Sequence, residues 1–194
     1  MKFRIAFLLV TLLAGPAFAD ELQGNCDVRF LATSTLHDFS GTARSRTFAA
    51  PLSKDAAGRR TLPAVEVLFP VSEMRTGNES RDTKMREMFQ ADRHPVIRAV
   101  ARNIDAEAFR ERLRKDAGGT MPIEATLAIR GVERKIPATA GNWREEGDRI
   151  SFDVEFPLSL KEFDLKPPSV LGLIRVGDRV VVKGTIAVTV RGTP

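Results

Sequence analysis

The chain has one cysteine, one tryptophan, two histidines and no tyrosine among its 194 residues. Each scarcity closes off a class of function. Cys26 is alone, so no intrachain disulfide forms and burial has to hold the fold together. Two histidines and one cysteine without close spacing do not make a zinc site, and no metal is expected. There is no glycine-rich phosphate loop and no G-x-S-x-G nucleophile elbow. Aromatic residues are not interleaved with bases, and opposite charges alternate in Arg110-Glu111-Arg112 and Arg144-Glu145-Glu146. Nucleic-acid binding therefore has no footprint. Beyond the first residues, no apolar run is long enough to cross a bilayer as a helix.

What is present begins with a leader. Lys2 and Arg4 form a positive start, Ile5 to Ala14 is apolar, and Gly15-Pro16 breaks the run. Ala17-Phe18-Ala19 then reads as a cleavage site before Asp20. Residues 1–19 are accordingly expected to be a secretory signal, with a periplasmic product cut after Ala19. Losing Lys2 and Arg4 takes the formal charge from +5 to +3, which leaves room for weak, transient contact with an anionic membrane surface. Residues 20–194 carry no linker, repeat or low-complexity tract and suit one domain with a sizeable core.

Period-two alternation dominates that domain. Eight candidate strands stand out: Val28 to Ser34, Phe39 to Phe48, Val65 to Val71, Val96 to Arg102, Ile123 to Arg130, Arg134 to Ala140, Ile150 to Phe156 and Arg179 to Arg191. The seventh is the cleanest, with Ile150, Phe152, Val154 and Phe156 alternating with Ser151, Asp153 and Glu155. Strands apolar on one side only are antiparallel in character. Eight of them predict an all-β fold, with one or two short helices, closed as a barrel or sandwich. Pro63, Pro70, Pro137 and Pro157 should mark edges, ends or bulges.

One helix is expected from Ser80 to Gln90, carrying Met85, Met88 and Phe89 as a stripe. A second should start after Asp105 as N-cap, with Ile104 and Phe109 as a hydrophobic staple and Phe109 and Leu113 sharing a face. The connection from Lys161 to Gly177 is long for a hairpin and its second half is apolar. It reads either as a flap over a hydrophobic pore or as a loop packed on the barrel end.

Chemistry is sparse. Cys26 and His37 would make a thiol–imidazole pair only if the fold joined them. The simpler reading has His37 and Asp38 capping a turn, His94 ending the first helix, and Cys26 buried rather than paired between chains. Asp82 suits the first turn of the helix dipole, and Arg81 either pairs with a carboxylate or meets the head of an amphiphile. No catalytic residue is assigned.

Several of these segments resemble the YceI-like family. Thr76-Gly77-Asn78-x-x-Arg81-Asp82 with Met88-Phe89 is similar to its central motif, and Ser34 to Gly41, ending Phe-x-Gly, to its first turn. Leu127-x-Ile129-Arg130-Gly131-Val132 resembles its fifth-strand hairpin, Phe163 its late Asp-Phe-Gly position, and Val176-Gly177-Asp178-x-Val180 the opening of its last strand. The family usually has a large aromatic where Ala99 stands and Gly where Asp164 stands.

The resemblance implies an eight-stranded antiparallel lipocalin-like barrel, no cofactor, and a bound isoprenoid-type lipid, polyprenyl or quinone-like, carried or sequestered in an apolar pore. The inward faces then nominate the lining: Phe30 from the first strand, Val67 and Phe69 from the third, Ile97 and Ala99 from the fourth. Leu127 and Ile129 come from the fifth, Phe152, Val154 and Phe156 from the seventh, and Val182, Ile186 and Val188 from the last. Met85, Met88 and Phe89 add the helix, and Leu171 the loop. The alternatives are an envelope stress or interaction protein whose interior is filled by side chains, and a hydrolase using Cys26 and His37.

Overall fold

One-sided strands have to bring their apolar faces together, and this chain does so by curling a single antiparallel sheet. The computed structural model describes residues 20–54, 57–115, 119–167, 169–170 and 174–191. The expected leader, 1–19, and Leu171 lie outside the described residues. The first half of the chain gives β1 (Glu21–Ser34), β2 (Phe39–Arg44), β3 (Phe48–Pro51), β4 (Ser53–Lys54), β5 (Arg60–Pro70), α1 (Glu79–Phe89) and β6 (Val96–Asp105). The second gives α2 (Ala106–Arg114), β7 (Met121–Ile129), β8 (Val132–Glu146), β9 (Arg149–Ser159), β10 (Ser169–Val170) and β11 (Ile174–Arg191). Short 3-10 turns occupy Val71–Glu73 and Lys161–Phe163.

The sheet runs β2-β1-β11-β9-β8-β7-β6-β5-β4, with β3 on β1 and β10 on β11. It has eleven strands rather than eight. The eight expected segments are all there; the surplus is β3 and the two-residue β4 and β10. β3 exists because the expected Phe39–Phe48 strand breaks at Ser45. That buried side chain turns inward, and its Oγ accepts from the Cys26 N–H at 2.8 Å while its own N–H donates to Cys26 O at 2.9 Å. The strand cannot run straight through such a corner.

The curl is a half-barrel, not a closed ladder. Its two ends meet through single joints. Thr42 and Arg75 exchange backbone bonds of 2.7 and 3.0 Å, and Arg46 N–H donates to Leu68 O at 2.8 Å. Gly41 permits this approach: a Cβ there would lie 2.6 Å from Phe30 Cε2 and 2.7 Å from Arg75 O. The Phe-x-Gly ending of the first turn thus has a steric cause.

One end of the curl is sealed. β8 and β9 pair only from Thr139–Glu146 onto Arg149–Glu155, so Val132–Ala138 and Phe156–Ser159 diverge. Pro137 and Pro157 fall in that divergence, where one flank has no partner strand to miss an N–H. The Lys161–Phe163 turn packs on β8 there, and Leu160, Phe163 and Leu165 are at most 5% exposed. Asp178 pins the turn: Ser159 Oγ donates to it at 2.7 Å and Lys161 N–H at 2.9 Å. Burial alone would raise the Asp178 carboxyl, but those hydrogen bonds outweigh it and hold the group below its usual range. The described part of the long connection is therefore a packed plug, which corrects the flap alternative for residues 161–167. Arg130 bonds across the same end, its Nη1 lying 3.4 Å from Met88 O and 3.3 Å from Asp164 O. With Gly131 it forms a two-residue hairpin turn, both residues at positive φ as that turn requires.

Gly41→Ala should overpack the Phe30–Arg75 joint and cost about 1–3 kcal/mol. A lowered urea midpoint with an unchanged slope is the expected result.

Candidate functional site

The inward faces do not meet in the middle. They surround a cavity of about 1220 Å³, beyond the ~300–1,000 Å³ of ordinary small-molecule pockets. Packed interiors hold few voids larger than a water, so this is not a filled core. Phe152, Phe156 and Val188 line the hollow rather than interlock across it. The side-chain-filled alternative is corrected by that volume.

Each strand supplies its inner row. β5 contributes Val65, Val67 and Phe69, β6 Ile97 and Ala99, and β7 Leu127 and Ile129. β9 contributes Phe152, Val154 and Phe156, and β11 Val182, Ile186 and Val188. Phe30 lies over Gly41, and Met85, Met88 and Phe89 enter from α1. Every nominated lining residue among the described residues thus borders one cavity. The opposite faces are wet and cross-paired, as in Arg44–Asp27, Lys183–Glu155, Lys135–Glu124 and Arg98–Glu66.

α1 sits where it does because its N-terminus is capped twice. Asn78 Oδ1 accepts from Arg81 N–H at 2.9 Å. Buried Asp82 accepts from Thr76 N–H at 2.7 Å and Thr76 Oγ1 at 2.6 Å, locking the preceding turn. The neighbouring Arg81 meets no carboxylate among the described residues. Its guanidinium lies 4.2 Å over the Phe39 ring and borders the cavity, so the ion-pair expectation is corrected to a cation–π contact. Asp164, standing where glycine is usual, has φ 55°. The position is left-handed, which explains the glycine preference.

Several lining residues were not foreseen. Leu22 and Leu62 line the far end because β1 and β5 both start earlier than their alternation suggests. Phe109 enters from α2, which is capped as expected by Asp105 accepting from Ala108 N–H at 2.9 Å. Trp143 is turned inward by a bulge at Asn142, at φ 53° in mid-strand. Gly141-Asn142 reads in sequence as a turn, and this bulge is the signal it carried. Trp143 stacks on Phe152 with centroids 6.0 Å apart, and Phe109 meets Phe152 edge-on at 5.1 Å.

Cys26 and His37 do not form a pair. Cys26 is buried mid-strand, whereas His37 is exposed in the turn after β1. The extended strand from Cys26 to Ser34 alone separates them by ~26 Å. In the turn, Ser34 Oγ donates to His37 O at 2.6 Å and Ser34 N–H to Asp38 Oδ1 at 3.2 Å, so Asp38 caps through its side chain and His37 only through its backbone. His94 N–H donates to Gln90 O at 2.9 Å just beyond α1. Among the described residues no group of His, Cys, Asp and Glu is placed to hold a metal.

A curled antiparallel half-barrel around an apolar cavity defines a lipocalin-like fold. The chain belongs to the YceI-like family: the YceI-like domain matches residues 25–189. Its fold is shared with Burkholderia cenocepacia BcnA at TM-score 0.61 and 16% identity, over 84% of this chain and 95% of that one. A polyisoprenoid-binding domain from Saccharophagus degradans, implicated in plant cell wall breakdown, aligns at TM-score 0.59 and 16% identity, over 90% and 99%. The Campylobacter jejuni YceI protein aligns at 0.52 and 16%, over 78% and 85%. No curated protein matched in sequence.

Burial, and to a lesser extent the Asp27 charge, push the Cys26 thiol up to about 12. The thiolate, which is the reactive form, is thus scarce at every pH up to about that value. Native protein should resist a disulfide reagent across the neutral and mildly alkaline range and yield one equivalent in denaturant, as read by absorbance.

Proposed function

We propose that this protein holds a long isoprenoid-type lipid, polyprenyl or quinone-like, in its cavity for carriage or sequestration, and that it is a binding protein rather than an enzyme. The observation that carries this is the single continuous apolar hollow inside an outwardly charged sheet. Its size supports a long ligand: at ~30 Å³ per water-sized group, about 1220 Å³ accommodates on the order of forty groups. The polyisoprenoid-binding relative in Saccharophagus degradans supports the ligand class, and the leader-like residues 1–19 support a periplasmic location.

Energetics favour exchange over trapping. Some forty carbons at ~0.8 kcal/mol per buried CH₂ amount to ~30 kcal/mol from water. That exceeds the affinity ceiling of ~18–21 kcal/mol. The donor, however, is a membrane in which the tail is already dry. Net transfer is then set by packing in the cavity and by ordering of the chain, a near-balance that permits loading and unloading.

Organic extraction and mass spectrometry of the purified protein should release a prenyl lipid, and empty protein should take one up. Repeated recovery of empty protein that takes up no polyprenol would overturn the proposal. Ala99→Trp should fill part of the lining and reduce polyprenol uptake about tenfold, ~1.4 kcal/mol, with little change in the unfolding midpoint.

A further inference from the structure

Among the described residues the sheet parts between β8 and β9 and between β6 and β7, and the two gaps are covered differently. Between β8 and β9 the gap is filled by Leu160, Phe163 and Leu165. Between β6 and β7 pairing is confined to Arg98–Ala101 against Ala125–Ala128. Beyond it β6 continues to Asp105 on β5, while β7 starts at Met121 on β8, and no ladder joins Arg102–Asp105 to Met121–Glu124. This gap is covered by α2 rather than by a turn, with Phe109 and Leu113 buried over it at 8% and 2% exposure. The cavity continues past the seam to residues of the outer face: Arg102, Glu124, Thr126 and Lys135 border it together with inner Ala101 and Ile123. Lys135 and Glu124 form an ion pair of 2.9 Å and are 74% and 64% exposed, which places this rim in solvent.

α2 follows β6 directly and overhangs the seam, packing Phe109 and Leu113 near Ile104, Met121 and Ile123. Arg110 and Arg114 reach Glu145 of β8 at 2.5 and 3.5 Å. Arg112 and Lys115 are exposed. Around the opening, Arg102, Lys135, Arg110, Arg112, Arg114 and Lys115 stand with Asp105, Glu107, Glu111, Glu124 and Glu145, a small basic excess, and Arg110 and Arg114 both share Glu145. A long apolar ligand drawn from a bilayer needs a side entrance on a face that a bilayer attracts, and an anionic leaflet attracts basic residues.

We propose that the unpaired β6–β7 seam beneath α2 is the port through which lipid enters and leaves, and that the basic face of α2 is set against an anionic membrane surface. This rests on the cavity's being a lipid site, so the test separates the two. Arg102→Cys and Glu124→Cys, in a Cys26→Ala background, are joined by a bis-maleimide across the seam. Transfer of a dansyl-labelled polyprenol is followed from vesicles of phosphatidylcholine alone, or mixed with an equal part of phosphatidylglycerol.

The cross-link should slow transfer about tenfold or more, while protein loaded before cross-linking keeps its probe. An unchanged rate after cross-linking overturns the port. Arg112→Glu with Lys115→Glu should remove most of the acceleration given by phosphatidylglycerol, about thirtyfold for two basic residues near the surface, with the unfolding midpoint unchanged. Acceleration that persists in this variant overturns the membrane-facing role of α2. Failure of the unlinked protein to take up any probe instead overturns the lipid reading itself, and the port with it.

Discussion

The rest of the structure depends on a mismatch between area and volume. An antiparallel ribbon with one apolar face has to hide that face, and a two-layer sandwich would hide it against another sheet. Here a single sheet curls on itself, and its inner side chains are too few and too short to fill the enclosed space. Val, Ile and Leu dominate the rows, and Ala99 stands where a bulkier ring would narrow the bore. The fold is thus satisfied on its outside, where charged pairs cross the strands, and left incomplete on its inside.

Such a hollow persists only if its ends are held by something other than a core. One end is fixed by polar detail: Asp82 gripping the Thr76 turn, Asp178 gripping the turn after β9, and Arg130 spanning from α1 to Asp164. The other is fixed by aromatic contact among Phe109, Trp143 and Phe152 and by two arginines of α2 sharing Glu145. The sealed end is the more rigid construction. Its hydrogen bonds are directional, whereas the α2 end depends on ring packing and surface ion pairs, each worth only ~0–1 kcal/mol.

The faces were legible in the sequence because period-two alternation survives burial on one side. The inner rows of β5, β6, β7, β9 and β11 followed directly from it. So did the Asp105 cap, since a short carboxylate ahead of a helix has one effective use. Places where the backbone leaves the regular pleat were not legible. Ser45 ends a strand through a hydrogen bond to Cys26, nineteen positions away, and no local pattern reports such a partner. Asn142 adopts a left-handed conformation inside a strand, which in sequence is indistinguishable from a turn. Strand pairing across β6 and β7 is a long-range property, so its interruption had no local sign either. Arg81 was read by charge alone, and its aromatic partner, Phe39, lies forty-two positions earlier.

The bulge at Asn142 has one more result. It carries the chain's sole indole, in a protein without tyrosine, to the inner wall beside Phe152. Ultraviolet emission excited in this molecule therefore originates almost wholly from one spot on the hollow's lining, and occupancy has a built-in optical signal that needs no label.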